Sequence, residues 1–193
     1  KTKSSYHVAD WASSEGCLWV KIIGRALTTP LLLGCCYIPP LGSSQLRAVD
    51  IEARFARLTT DVSAACSEGH VLLTGDFNAR VGELDDSNGE GSQRRGCTDT
   101  TVNAHGRRLV EMCKDTGLLL CTGRAKGDEH AIPTFWSSAR GTASRLDHLL
   151  VSPDALPLIQ ECGVRKGRSD SDHCPLESII SLPLSAHVQG LHC

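Results

Sequence analysis

The run His70-Val71-Leu72-Leu73-Thr74-Gly75-Asp76-Phe77-Asn78-Ala79 decides how this chain is read. An apolar, strand-forming segment leads straight into a carboxylate and a carboxamide two positions apart. Side chains two apart on a strand share a face, so Asp76 and Asn78 are predicted to point the same way from the end of a buried strand. That pairing suits a reaction in which water is oriented and deprotonated beside an anionic group. The same residue types also close turns through local side-chain bonds, and the stretch alone does not separate the two uses.

Working outward, Leu31 to Ile38 is continuously apolar, as a strand buried on both faces would be, and Pro39-Pro40 stops it. Cys17 to Ile23 reads as another strand, with a turn from Gly24 to Pro30. From about Gln45 to Cys66 the residues Ile51, Phe55, Leu58, Val62 and Ala65 recur at three- and four-residue spacing, which predicts one buried helix face. Glu83 to Thr101 is polar and glycine-rich and is predicted as a long loop. It is read first as a solvated loop, with contact of its Arg94-Arg95 pair to a DNA backbone as the lesser alternative. Asn103 caps a second helix that turns Leu109, Val110 and Cys113 inward and stops at Gly117. Further strands are expected at Leu118–Thr122, around Pro133–Trp136, and at Leu146–Val151, Gln160–Val164 and Cys174–Leu182. Strands with intervening helices indicate a single layered α/β or α+β domain.

Composition narrows the function classes only partly. The 193 residues carry a net charge of -2, which argues against a generic basic nucleic-acid binder but not against a nucleic-acid enzyme that uses a metal at phosphate. No apolar run approaches the length of a membrane span. The ten cysteines contain no CxxC spacing, and most fall in apolar or helical runs. Reduced thiols and an intracellular setting are therefore expected.

Two more polar clusters stand at strand boundaries, Arg145-Leu146-Asp147 and Ser171-Asp172-His173. An acid entering a core strand needs a partner. His173 is one candidate for Asp147, and Arg145 and Arg165 are others. Asp172 could hold a hard cation through oxygen or be an ordinary loop acid.

In order along the chain stand Tyr37-Ile38-Pro39, Gly75-Asp76-Phe77-Asn78, Ser144-Arg145-Leu146-Asp147 and Ser171-Asp172-His173-Cys174-Pro175. The ordered set resembles the endonuclease/exonuclease/phosphatase family, and the match runs from about 17 to 182. Asn103-x-His105-Gly106-x-x-Leu109, Gly117-Leu118, Pro133-Thr134-Phe135-Trp136 and Ser144 to Ser152 resemble the endonuclease domain of non-LTR retrotransposons in particular. The Trp-Cys-Asp-Arg signature of inositol-phosphatase relatives is absent. The resemblance implies an α/β fold, a four-layered sandwich of two packed sheets flanked by helices. It implies Mg²⁺-assisted phosphodiester hydrolysis (Mn²⁺ as a substitute) with DNA as partner, and a nuclear location beside a reverse transcriptase. Asp76 would orient or deprotonate water, with Asn78 beside it at the phosphate. Tyr37 would contact the scissile phosphate, Asp147 and His173 would form a carboxylate–imidazole pair, and Asp172 would be a metal ligand. A small phosphorylated substrate is the lesser alternative.

The family carries an early strand ending in Asn and a Gln-Glu pair whose Glu ligates metal, both ahead of the strand matched by Cys17–Ile23. Nothing before Cys17 fits either motif, and Glu15 stands in a Ser-Ser-Glu-Gly turn. Residues 1–193 are therefore expected to be one partial domain, incomplete at the N-terminus, with an exposed sheet edge and weak or no nuclease activity. A catalytically silent transposon remnant that binds nucleic acid weakly is the competing expectation.

Overall fold

The structure, a computed structural model, describes residues 6–25, 27–43, 48–87, 95–165 and 171–182. Strands β1 (Tyr6–Ser14), β2 (Cys17–Gly24), β3 (Leu31–Tyr37), β4 (His70–Asp76), β5 (Leu119–Leu120) and β8 (Asp147–Val151) form one sheet in the order β1-β2-β3-β4-β8-β5. β3 and β4 are parallel, and helix α1 (Ala48–Glu68) makes the crossover between them. The remaining ladders of this sheet are antiparallel.

The continuous apolar run of β4 follows from burial on both sides. Leu73 is fully buried in a cluster with Trp19, Phe55, Leu58, Val62, Leu109 and Leu150, where α1 and α2 (Ala104–Thr116) cover the sheet. Leu72 faces the opposite way, into a cluster with Leu31, Leu149, Val151 and Cys162. That second face is covered by the hairpin of β9 (Ile159–Val164) and β10 (Leu176–Ile180). Each such fully buried side chain contributes about 1.5–3 kcal/mol, so both clusters bind their layers to the sheet. Among the described residues the outer side of the hairpin carries no α-helix, and Ile179 there is 55% exposed.

All five residues of the predicted α1 stripe are buried, while its expected beginning at Gln45–Arg47 lies outside the described residues. Asn103 caps α2 through its side chain to the Gly106 amide, and Gly117 closes it in the left-handed conformation, as predicted. Other expectations need correction. Strand β1 was not expected as an element, though it supplies neither family motif: it pairs antiparallel with β2 through a turn at Glu15–Gly16, forms the sheet edge and ends in Ser13-Ser14 without an Asn. Its residues are mostly half-buried or exposed, so they lack the apolar run that marks a strand in sequence. Leu118–Thr122 yields only the two-residue β5, because the chain turns at Cys121. The expected strand around Pro133–Trp136 is β6 (Phe135–Ser137), paired with an unforeseen β7 (Thr142–Ser144). No helix among the described residues is long and apolar enough to cross a membrane.

Candidate active site

Three candidate residues meet because three neighbouring strands end at one level. Tyr37 pairs with Asp76 across β3·β4, and Asp76 pairs with Asp147 across β4·β8. Asp76 has the parity of Leu72, and Asp147 that of Leu149. The row therefore lies on the sheet face that β9 and β10 cover, at the end of that apolar layer.

Gly75 makes the approach possible. Its φ of +144° and a carbonyl of Cys36 only 1.9 Å from where a Cβ would sit leave room for no side chain. Asn78 then adopts φ +48°, so the chain does not continue as a strand. Asp76 and Asn78 meet by a turn and not by strand alternation. The Asn78 amide donates to Asp76 Oδ1 at 2.8 Å, and its Nδ2 donates to Asp76 Oδ2 at 3.1 Å and to the Ile38 carbonyl at 2.9 Å. The turn reading and the site reading of this stretch are thus the same geometry. With both Nδ2 hydrogens committed, Asn78 has its Oδ1 to offer outward.

His173 supplies the partner that Asp147 requires. Its Nδ1 lies 2.9 Å from Asp147 Oδ2, and its Nε2 lies 4.0 Å from Asp76 Oδ2. The three side chains are 19–29% exposed, enough to meet a ligand. Burial, and next the Asp147 charge, push the Asp76 carboxyl above the usual carboxylate range, against the opposing pull of the Asn78 bonds and His173. His173 is fixed by β6: a bridge pairs it with Phe135, the Cys174 amide donates to the Thr134 carbonyl at 2.7 Å, and the Phe135 and His173 rings are 5.0 Å apart. Asp172 is exposed, and its carbonyl accepts the Trp136 amide at 2.9 Å.

The two arginines considered for Asp147 go elsewhere. Arg165 pairs with Glu177. Arg145 forms a buried bidentate pair with Asp128 (3.0 and 2.7 Å) and reaches only the Asp147 carbonyl, through Nε at 2.8 Å. Glu15 stays in its turn and pairs with Arg54 of α1. Arg95 is no DNA contact and no solvated loop residue: it is 9% exposed, bonds the Gly82 and Leu84 carbonyls and lies 3.6 Å from buried Asp86. Its neighbour Arg94 lies outside the described residues. Thr134 and Asn103 were missed as site supports. The Thr134 hydroxyl accepts the Leu146 and Asp147 amides at 3.1 Å each. Asn103 Nδ2 donates to the Asn78 carbonyl at 2.8 Å, and its Oδ1 accepts the Arg80 amide at 3.0 Å. A Thr or Asn flanking a strand or helix end carries no sequence signal for a distant backbone partner.

Comparisons with known proteins place the fold in a family. Residues 5–173 match the Endonuclease/Exonuclease/phosphatase family. The chain is 25% identical over 177 residues to the DNA-(apurinic or apyrimidinic site) endonuclease 2 of Schizosaccharomyces pombe, covering 87% of this chain and 33% of that protein. It therefore spans about a third of the length of that relative. Among solved structures it resembles the endonuclease domain of TRAS1, a telomere-specific non-LTR retrotransposon, with a TM-score of 0.67 at 21% identity, covering 94% of this chain and 70% of the other. It also resembles the 3'-5' exonuclease NExo of Neisseria meningitidis, with a TM-score of 0.58 at 18% identity, covering 92% and 80%.

Proposed function

Because the chain belongs to the endonuclease/exonuclease/phosphatase family, we propose that it hydrolyses phosphodiester bonds of DNA with the aid of a divalent cation, Mg²⁺ first. One observation carries the proposal: His173 is bonded to Asp147 and faces the Asp76 carboxylate, which Asn78 also bonds. The names of the retrotransposon and apurinic-site relatives favour DNA within the family.

Asp76 accepts the proton of the attacking water, and its raised pKa makes it a stronger base than an ordinary carboxylate. Asn78 Oδ1 offers that water a second acceptor. Nδ1–H of His173 donates to Asp147, so Nε2 faces the site. Protonated, it donates to a phosphate oxygen as negative charge builds there. Tyr37, 52% exposed and level with Asp76, adds a phenolic donor.

Among the described residues no three His, Cys, Asp or Glu side chains converge as a metal cage. Mg²⁺ needs none, since one or two carboxylates with phosphate and water commonly hold it. The exposed carboxylate of Asp172 fits that donor chemistry. Bound there, the ion would polarise phosphate and offset charge on the leaving oxygen.

Nicking of supercoiled plasmid by the purified chain tests the proposal. The expected result is weak Mg²⁺-dependent nicking, abolished by EDTA and lowered about 10²-fold or more in Asp76→Ala. Nicking that survives Asp76→Ala overturns it. Cleavage of a phosphomonoester with no nicking would favour a small substrate, and binding of DNA with no hydrolysis would favour the silent remnant.

A further inference from the structure

His148 follows Asp147 in β8 but points to the opposite face of the sheet, where it is fully buried behind the site. It is the least expected residue in that core. Its parity is that of Leu150, and its ring lies against Phe77, with centroids 6.3 Å apart. Nε2 is 2.8 Å from the Ala79 carbonyl, and Nδ1 is 2.9 Å from the Thr122 hydroxyl.

These contacts fix the protonation state. A carbonyl only accepts, so Nε2 carries the hydrogen. Arg145 Nη2 donates to Thr122 Oγ1 at 3.5 Å, which leaves the Thr122 O–H free to donate to the lone pair on Nδ1. The ring is neutral with a single tautomer, and burial first, then Arg145 beside it, disfavours a second proton. A polar chain thus runs from Asp128 through Arg145 and Thr122 to His148, and ends on the carbonyl next to Asn78.

The 76–80 turn is held at successive carbonyls. Asn103 takes that of Asn78, and His148 takes that of Ala79. Between them Asn78 is kept in its left-handed conformation, with its amide on Asp76. We infer that His148 is a positioning residue for the hydrolysis proposed above: it clamps the Asn78–Ala79 turn to β8 so that Asn78 and Asp76 keep their place opposite His173. Its neighbour Asp147 serves the front of the sheet and His148 the back, so one dipeptide sets both halves of the site.

The test compares His148→Phe, which keeps a ring but loses both bonds, with His148→Gln, whose amide can still donate to Ala79. Thr122→Val provides a milder cut in the same chain should the Phe variant not fold. Two readouts are taken: plasmid nicking, and hydrogen exchange of the Asn78 amide against the Leu72 and Leu73 amides. Expected for Phe are a kcat lower by about 10- to 100-fold with KM little changed, and exchange at Asn78 faster by about tenfold or more with Leu72 and Leu73 unaltered; Val shifts both in the same direction by less. Gln restores much of both. Unchanged Asn78 exchange in the folded Phe or Val variant overturns the inference, as does a kcat equal to that of the unaltered chain. Asp76→Ala, run in parallel, reports on the hydrolysis assignment alone. If it nicks normally, or the unaltered chain does not nick, the exchange readout still decides whether His148 holds the turn.

Discussion

Asp76 and Asp147 stand directly opposite each other across β4 and β8, and one imidazole reaches both: His173 is 2.9 Å from Asp147 and 4.0 Å from Asp76. Like charges on directly opposed cross-strand residues repel. A cation or a proton between them relieves that repulsion, and His173 is placed to provide one.

The Asp147–His173 pair should act as a unit. Asp147→Asn keeps the shape but removes the charge that holds Nδ1–H, and His173→Ala removes the donor toward the site. Each is expected to lower single-turnover DNA cleavage about 10²-fold or more. The double variant should be little worse than His173→Ala alone, because groups that work through one another are not additive. Full additivity of the two losses would show that they act separately.

Asp76 predicts a pH dependence with a definite sign. Its folded pKa is raised by burial first and by Asp147 next, from 3.8 in the unfolded chain. Ionising it therefore costs more in the folded state, so this residue's contribution to stability declines as pH rises above 3.8. The melting temperature of Asp76→Asn relative to the unaltered chain should increase from pH 3.5 to pH 7. On the activity side, the acidic limb of kcat/KM should lie above the ordinary carboxylate range. A relative melting temperature that stays flat or falls over that interval would contradict the raised pKa.

Much of this site was legible because its residues sit where strong local patterns end. The apolar run of β4 delivers Asp76, and the carboxylate of Asp147 at the mouth of β8 called for a partner that His173 supplies. What was not legible depends on distant backbone. The proximity of Asn78 to Asp76 comes from a positive φ and a carbonyl of Ile38, not from strand alternation. Arg95 reads as a loop cation, yet it is drawn inward by Asp86, which is itself buried in a bidentate pair with Arg124. Strand β1 is held by pairing to β2 and by Trp11 packing edge-on against Trp19 at 5.8 Å, neither of which leaves a period in sequence.

Gly75 is predicted to tolerate no replacement. An added Cβ would lie 1.9 Å from the Cys36 carbonyl, at a φ that L residues rarely adopt. Either β3 or β4 must shift, so Gly75→Ala should cost about 3 kcal/mol or more. For a chain of this size that lowers the melting temperature by roughly 10 °C. Since Tyr37 and Asp76 are paired across the same two strands, cleavage should fall in the fraction that remains folded. Circular dichroism melts beside nicking assays check both effects, and an unchanged melt would mean that the strands separate easily there.

His148 carries the last prediction, on acid stability. Burial, followed by the Arg145 charge, lowers its pKa from 6.5 to about 3 in the folded protein. The groups acting on it are Arg145 and Arg95, which oppose protonation, and Asp99, which favours it, with the Ala79 carbonyl also favouring the protonated form. Between those two values the unfolded chain binds a proton at this position and the folded chain does not. Stability is thus drained as pH falls from 6.5 toward 3, at up to about 1.4 kcal/mol per pH unit from this residue. His148→Gln cannot take up that proton, so its unfolding free energy should fall less steeply over the same interval in urea titrations. With the variant the less stable protein at neutral pH, the two curves should converge as acidity increases. Parallel curves from pH 6.5 to 4 would mean that the folded protein protonates His148 without difficulty, and that the ring is not locked between Ala79 and Thr122.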